Sequence, residues 1–138
     1  MAADELPNLS EGDVLAELKV TPDKYLPNRY AGASGDFNPI HIDPEFARQV
    51  GLPGAILHGL YSMALVARAH TDAAGGDPRA LKRLSVQFRG MGMPEQEITV
   101  TGQVREVRDD GTVVTSAEAA QGENRIVRKV TGELRAGE

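Results

Sequence analysis

Residues 55–71 read AILHGLYSMALVARAHT, and the reading of this stretch decides the fold. It reads as one long helix, and Ile56, Leu57, Leu60, Tyr61, Met63, Leu65 and Val66 place apolar side chains on nearly every face of it. A helix that is hydrophobic all round has to be buried, so other elements must wrap it. The apolar-rich part, residues 55–69, is interrupted by His58, Ser62 and Arg68. It is also shorter than the roughly 20 residues a bilayer-spanning helix needs.

The wrapping is expected from the C-terminal half. Leu84, Val86 and Phe88 alternate with Ser85, Gln87 and Arg89, the pattern of a strand with one buried face. Ile98, Val100 and Val104 alternate with Thr99, Thr101, Gln103 and Arg105, and Gly102 within that strand marks a bulge or a close backbone approach. Asp109-Asp110-Gly111 signals a hairpin into a strand over residues 112–120, and Gln121-Gly122-Glu123-Asn124 a second turn into a strand near 125–133. Four successive strands joined by tight turns predict a largely antiparallel sheet. The fold class is therefore α+β, with the sheet folded around one central helix.

The N-terminal half is rich in helix and loop. A short strand is expected at residues 14–20, after which Thr21-Pro22-Asp23 caps a short helix running towards Ala33. Asp43 then has the character of a helix N-cap, Pro44 of a first helical position, and Gly51, Pro53 and Gly54 stop the helix. No repeat, low-complexity segment or second domain is visible, so residues 1–138 are expected to form one domain.

Composition narrows the function. Fifteen Lys and Arg against 20 Asp and Glu give a net charge of −5 with no dense basic run. Binding to nucleic acid through its phosphates, which relies on clustered cations, is not expected. With no cysteine, disulfides, thiolate metal sites and cysteine nucleophiles are excluded, which fits a reducing cytoplasm. The polar, acidic start over residues 1–13 lacks the basic-then-apolar pattern of a secretory leader, so a soluble cytoplasmic chain is expected.

Residues 30–41 read YAGASGDFNPIH and crowd an Asp, an Asn and a His into six positions. Gly35 permits a sharp reversal, while Pro39 fixes its own φ and pushes Asn38 out of the helical region. Residues 36–41 are thus expected as a stiff non-helical turn that points Asp36 and His41 into one cavity. A carboxylate and an imidazole so placed can hold a water and move protons on and off it. A second account fits the same residues equally well: Asp and Asn bond nearby backbone in many turns, and His41 is then a satisfied core histidine. The three histidines, at 41, 58 and 70, show no metal-ligand spacing, so no metal is expected. His58-Gly59 heads the long helix, where unpaired N–H groups favour negative charge and Gly59 leaves its N–H open to a ligand. That suits an oxyanion site, although Gly59 also fits as a residue that merely permits close helix–sheet packing.

Tyr30, the run Ser34-Gly35-Asp36-Phe37-Asn38-Pro39-Ile40-His41, and Ala47 resemble the hydratase motif of the MaoC-like, (R)-specific enoyl-CoA hydratases, without departure at any motif position. His58-Gly59 and the strand ending Phe88-Arg89-Gly90 fit the same family, over about residues 10–135. The resemblance implies a hot-dog fold, in which an antiparallel sheet wraps one helix. It implies that Asp36 and His41 activate water for hydration of trans-2-enoyl thioesters, or remove hydroxyl from (R)-3-hydroxyacyl thioesters. It implies an oxyanion role for the Gly59 N–H, supporting roles for Asn38, Ser34 and His58, and no cofactor. The implied substrate is an acyl thioester of coenzyme A or of an acyl carrier protein. The implied assembly is a homodimer, with a heterodimer containing a non-catalytic partner as the alternative. Arg89, Arg83 and Lys82 fit either as contacts to the carrier's anionic groups or as solvated charges. A hot-dog thioesterase would need a helix carboxylate that residues 55–71 do not offer, and a non-catalytic acyl-binding subunit would not need the Asp36/His41 pair.

Overall fold

Backbone pairing ties five strands into one sheet, and every strand pair in it is antiparallel. In this computed structural model residues 6–137 are described; the polar start and the 1–138 domain span reach into 1–5 and 138, which lie outside the described residues. The elements are β1 (Leu18–Val20), α1 (Leu26–Ser34), α2 (Pro39–Ile42), α3 (Pro44–Gln49), α4 (Gly59–Ala73), a single 3₁₀ turn (Pro78–Ala80), β2 (Leu81–Phe88), β3 (Ile98–Val107), β4 (Val113–Gln121) and β5 (Asn124–Leu134). The strand order across the sheet is β1-β3-β4-β5-β2.

The tight turns hold for β3, β4 and β5. Gly111, at φ +88, closes the first hairpin, and Gly122, at φ +59, the second, where Gln121 pairs with Asn124. They do not hold between β2 and β3. Residues 89–97 cross from one side of the sheet to the other, and β2 pairs with β5 as an edge strand. Alternation identified β2 as a strand but carries no information about its partner. At Gly102 the close approach is what is present: a Cβ there would sit 3.0 Å from Leu15 Cδ1 and 3.3 Å from the Ser116 carbonyl oxygen. The register shift in β3 lies further on, between Val104 and Glu106. The expected strand over 14–20 is regular only at Leu18–Val20, with Val14 in a lone bridge to Gln103.

The sheet curls around α4. Leu65, Val66 and Ala69 of that helix are buried with Ile98, Val100, Ala119, Ile126, Val127 and Val130 from three strands. Burying each such large aliphatic side chain contributes about 1.5–3 kcal/mol relative to exposure. His70, fully buried, donates from Nδ1 to the Val66 carbonyl (2.8 Å) and accepts at Nε2 from the Thr115 hydroxyl (2.6 Å). The wrapping is incomplete: Leu60, Ala64, Arg68 and Asp72, each one turn from the next, form an exposed stripe. No helix among the described residues is long and apolar enough to cross a membrane.

The helix also starts four residues later than its composition suggests. The Ile56 N–H donates to the Ile40 carbonyl (3.0 Å) and the Leu57 N–H to the Gly92 carbonyl (2.8 Å). With those donors engaged by distant segments, residues 55–58 stay outside the helix and His58, in an extended conformation, becomes the N-cap position of α4. These two bonds bring α2 and the 89–97 crossing together at the helix start.

Candidate active site

Three side chains build the turn that carries Asp36. Gly35, at φ +80, ends α1 in the left-handed conformation and donates to the Ala31 carbonyl (2.8 Å). Then each second residue accepts from the backbone two positions on. Ser34 Oγ accepts from Asp36 N–H (3.1 Å), Asp36 Oδ1 from Asn38 N–H (3.2 Å), and Asn38 Oδ1 from Ile40 N–H (3.2 Å). Ser34 and Asn38 thus fix the backbone on both sides of Asp36.

The expectation of a wholly non-helical turn is corrected at its second half. Asn38 is extended, as the residue before a proline should be, but Pro39–Ile42 is a short helix with Asn38 as its N-cap. Pro39 at the first helical position needs no N–H and already has a helical φ, so Asn38-Pro39 starts a helix instead of preventing one. His41 therefore projects from a helical turn, and Asp43 caps the next helix by accepting from Glu45 and Phe46 N–H.

Asp36 and His41 do meet. His41 Nδ1 lies 2.8 Å from the Ile56 carbonyl oxygen, which can only accept, so Nδ1 carries the proton. In the neutral ring Nε2 then bears the lone pair, and it faces Asp36 Oδ2 at 3.9 Å. That separation is too long for a direct hydrogen bond but leaves room for one water bonded to both at about 2.8 Å. The His41 ring is nearly buried, whereas the Asp36 carboxylate is half exposed, so the pair joins an interior imidazole to a solvent-facing carboxylate.

His58 braces both residues. Its Nε2 donates to the Asp36 carbonyl (3.0 Å), and its ring stacks on His41 with centroids 3.9 Å apart and planes 22° apart. Tyr30 packs near the same imidazole at 4.6 Å between centroids. His58 is 2% exposed, and its Nδ1 has no partner among the described residues.

Asp36, His41 and His58 each bring a potential metal-ligand atom within 4.8 Å of the others. A zinc ion binds imidazole nitrogen at about 2.0–2.1 Å along the in-plane lone pair. Two stacked rings 3.9 Å apart cannot both direct in-plane lone pairs at one ion at that distance. The stacked arrangement therefore does not fit a chelate through both histidines.

A cavity of about 150 Å³ opens beside the pair, lined in part by His41, Gly59, Ser62, Phe88 and Ile126. Gly59 is the first residue of α4, so its N–H has no acceptor within the helix. A Cβ at Gly59 would lie 3.2 Å from the Phe88 ring, which shows how closely β2 approaches this point. Asp36, Ser34, Asn38 and His58 are not among the lining residues, so of the expected pair only His41 reaches the cavity wall.

Several lining residues carry no functional signal of their own in the sequence: Ser62, Ile126 and, beyond Gly90, Met91 and Gly92. The alternation of glycine and methionine over 90–93 is the pattern that marks the loop. A Cβ at Gly90 would fall 2.6 Å from Asn124 Oδ1, and one at Gly92 would fall 3.0 Å from Leu57 Cδ1. Lys82, Arg83 and Arg89 do not line the cavity, and the Arg89 guanidinium bonds the Gln87 side chain (2.7 and 3.0 Å).

An antiparallel five-stranded sheet curled around one central helix is the hot-dog class of fold. The (R)-hydratase from A. caviae involved in PHA biosynthesis shares it, with a TM-score of 0.74 and 27% identity over 91% of this chain and 94% of that one. The chain belongs to the MaoC-like domain family, whose model matches residues 8–124. Enoyl-CoA hydratase ChsH3 of Mycobacterium tuberculosis is 33% identical over 117 residues, 83% of this chain and 38% of that protein. The fatty acid synthase beta subunit hexB of Dothistroma septosporum is 38% identical over 97 residues, 70% of this chain. The chain spans only 5% of the length of that synthase subunit.

Proposed function

We propose that the protein is a hydro-lyase that interconverts trans-2-enoyl and (R)-3-hydroxyacyl thioesters in fatty-acid metabolism, working as a single hot-dog domain. The observation that carries this reading is His41 Nε2 facing Asp36 Oδ2 across 3.9 Å at the edge of the cavity, with Nδ1 held by the Ile56 carbonyl. In hydration, the pair holds a water. His41 Nε2 accepts one of its protons as the oxygen adds to C3 of the enoyl group. The electron pair of the double bond moves towards the thioester oxygen, where the Gly59 N–H stabilises the enolate-like charge. Return of a proton to C2 from the same pair completes the addition. Dehydration runs these steps in reverse. The net oxidation level is unchanged, so no redox cofactor is required.

The substrate carrier is coenzyme A or an acyl carrier protein, and the absence of cysteine fits a cytoplasmic setting. The outer edge of β2 is unpaired, and Leu60 and Phe88 are 62% and 50% exposed near the cavity. A second copy added along that edge would cover them, which favours a homodimer. A heterodimer with a non-catalytic hot-dog partner covers the same edge. The thioesterase reading is disfavoured, because the one helix carboxylate in α4, Asp72, is exposed at its far end beside Arg68.

The test is a hydration assay on trans-2-enoyl-CoA esters, paired with thiol detection. Loss of the conjugated enoyl absorbance without thiol release supports the hydro-lyase; thiol release identifies a thioesterase. Light scattering on the purified chain, alone and with a co-expressed hot-dog partner, separates the two assemblies.

A further inference from the structure

We propose that the outer face of the sheet carries a second binding site, a cationic groove that takes a small ligand bearing two or more phosphate groups. The groove has a volume of about 470 Å³, three times that of the cavity beside His41. Arg105 from β3 and Arg125, Arg128 and Lys129 from β5 line it, against one carboxylate, Glu118 of β4. A chain of net charge −5 thus gathers four cations around a single acid.

The concentration of charge comes from a fault in the β-ladder. Ala117 pairs with Val130 and Ala119 with Val127, so Arg128 and Lys129 together oppose Glu118 alone. Such a bulge breaks the alternation of faces. Two consecutive side chains, Arg128 and Lys129, are exposed, where a regular strand would turn one of them inward. Lys129 adopts φ +50, a left-handed conformation that a residue with a Cβ rarely takes. The backbone holds a strained lysine where glycine would fit more easily.

Internal contacts do not use up these charges. Glu118 is engaged by Arg125 (3.1 Å), and the Arg105 guanidinium donates to Ser116 Oγ (2.6 Å). The Arg128 and Lys129 side chains have no hydrogen-bond or ion-pair partner among the described residues. Neighbouring strands lie about 4.8 Å apart, so cations on β3 and β5 are separated by roughly 10 Å across the groove. That spacing matches an extended di- or triphosphate better than a single small anion. No aromatic side chain lines the groove, so recognition rests on the phosphates and not on ring stacking. Ile126, between Arg125 and the bulge, lines the catalytic cavity on the inner face. The groove therefore lies across the sheet from the Asp36/His41 pair, and its assignment is independent of the hydratase reading.

The probe is inorganic pyrophosphate, followed by tripolyphosphate, titrated calorimetrically into the full chain at low and moderate salt. Binding is expected that weakens as salt rises, with backbone amide shifts confined to β3, β4 and β5 around the groove. Arg128→Gln and Lys129→Gly are each expected to weaken binding roughly tenfold, as loss of a charge-assisted contact does. Lys129→Gly is also expected to raise the Tm by relieving the left-handed strain, so weaker binding cannot be ascribed to unfolding. Lys82→Gln/Arg83→Gln, on β2 away from the groove, serves as the control. Absence of binding, equal loss in the β2 control, or undiminished binding in both groove variants would overturn the proposal. A competing single-stranded nucleic acid that binds there while pyrophosphate does not would overturn it as well.

Discussion

His58 lies flat against His41, with ring centroids 3.9 Å apart, and donates from Nε2 to the carbonyl of Asp36 at 3.0 Å. One buried imidazole from the N-cap of α4 thereby fixes both members of a pair that belong to a different segment. Replacing it separates the two contacts. His58→Phe keeps the stack and loses the donor, whereas His58→Gln keeps a donor and loses the stack. Each variant is expected to lower kcat more than it raises KM, and His58→Ala by about 10²-fold, the usual effect of an ångström-scale misplacement. Steady-state kinetics on an enoyl-CoA, with far-ultraviolet dichroism as the folding control, checks this. Unchanged kcat in all three variants would remove His58 from the site.

Stability should fall with acid through His70. Burial holds its pKa below the ordinary 6.5, with the Val66 carbonyl contact opposing that shift. Between the folded value and 6.5 the unfolded chain binds more protons, so stability rises with pH across that window. The contribution is fully present above about pH 6.5 and is lost as pH falls below it. Unfolding free energies from urea titrations between pH 7.5 and 5 should decline, with a slope from this one group of at most about 1.4 kcal/mol per pH unit. His70→Gln should flatten that slope while lowering stability at pH 7.

Two glycines should respond oppositely to the same substitution. A Cβ at Gly132 would fall 2.5 Å from His70 Nε2 and 2.6 Å from Thr115 Oγ1, inside the packed core. Gly132→Ala is expected to destabilise by about 1–3 kcal/mol, the range for an overpacked interior. Gly32, inside α1, has nothing within 4 Å of its Cβ position, and Gly32→Ala is expected to stabilise by roughly 0.5–1 kcal/mol. Thermal melts of both variants decide it.

Much of this was legible in the chain because it is local. Alternation marks β2 and β3, turn residues mark β4 and β5, Asp43-Pro44 announces α3, and Asp36 and His41 are close enough in sequence for the local chain to bring them together. What escaped was set by distant partners. The start of α4 depends on Ile40 and Gly92 taking the N–H groups of Ile56 and Leu57. The pairing of β2 with β5 depends on a crossing whose path no periodicity encodes. The bulge at Arg128 and Lys129 appears in sequence only as two adjacent cations, and the stacking of His58 on His41 joins residues from separate segments. The Asn38-Pro39 helix start is written in the chain: proline biases its predecessor away from helix, yet a helix can begin at the proline itself.

The most direct test of the central claim is the hydration rate on a trans-2-enoyl-CoA for the unaltered chain, Asp36→Asn and His41→Ala, with the fold of each verified. A water held between Asp36 Oδ2 and His41 Nε2 predicts that each variant loses about 10²–10⁴-fold in kcat while remaining folded. Hydration at the unaltered rate by both folded variants would contradict it.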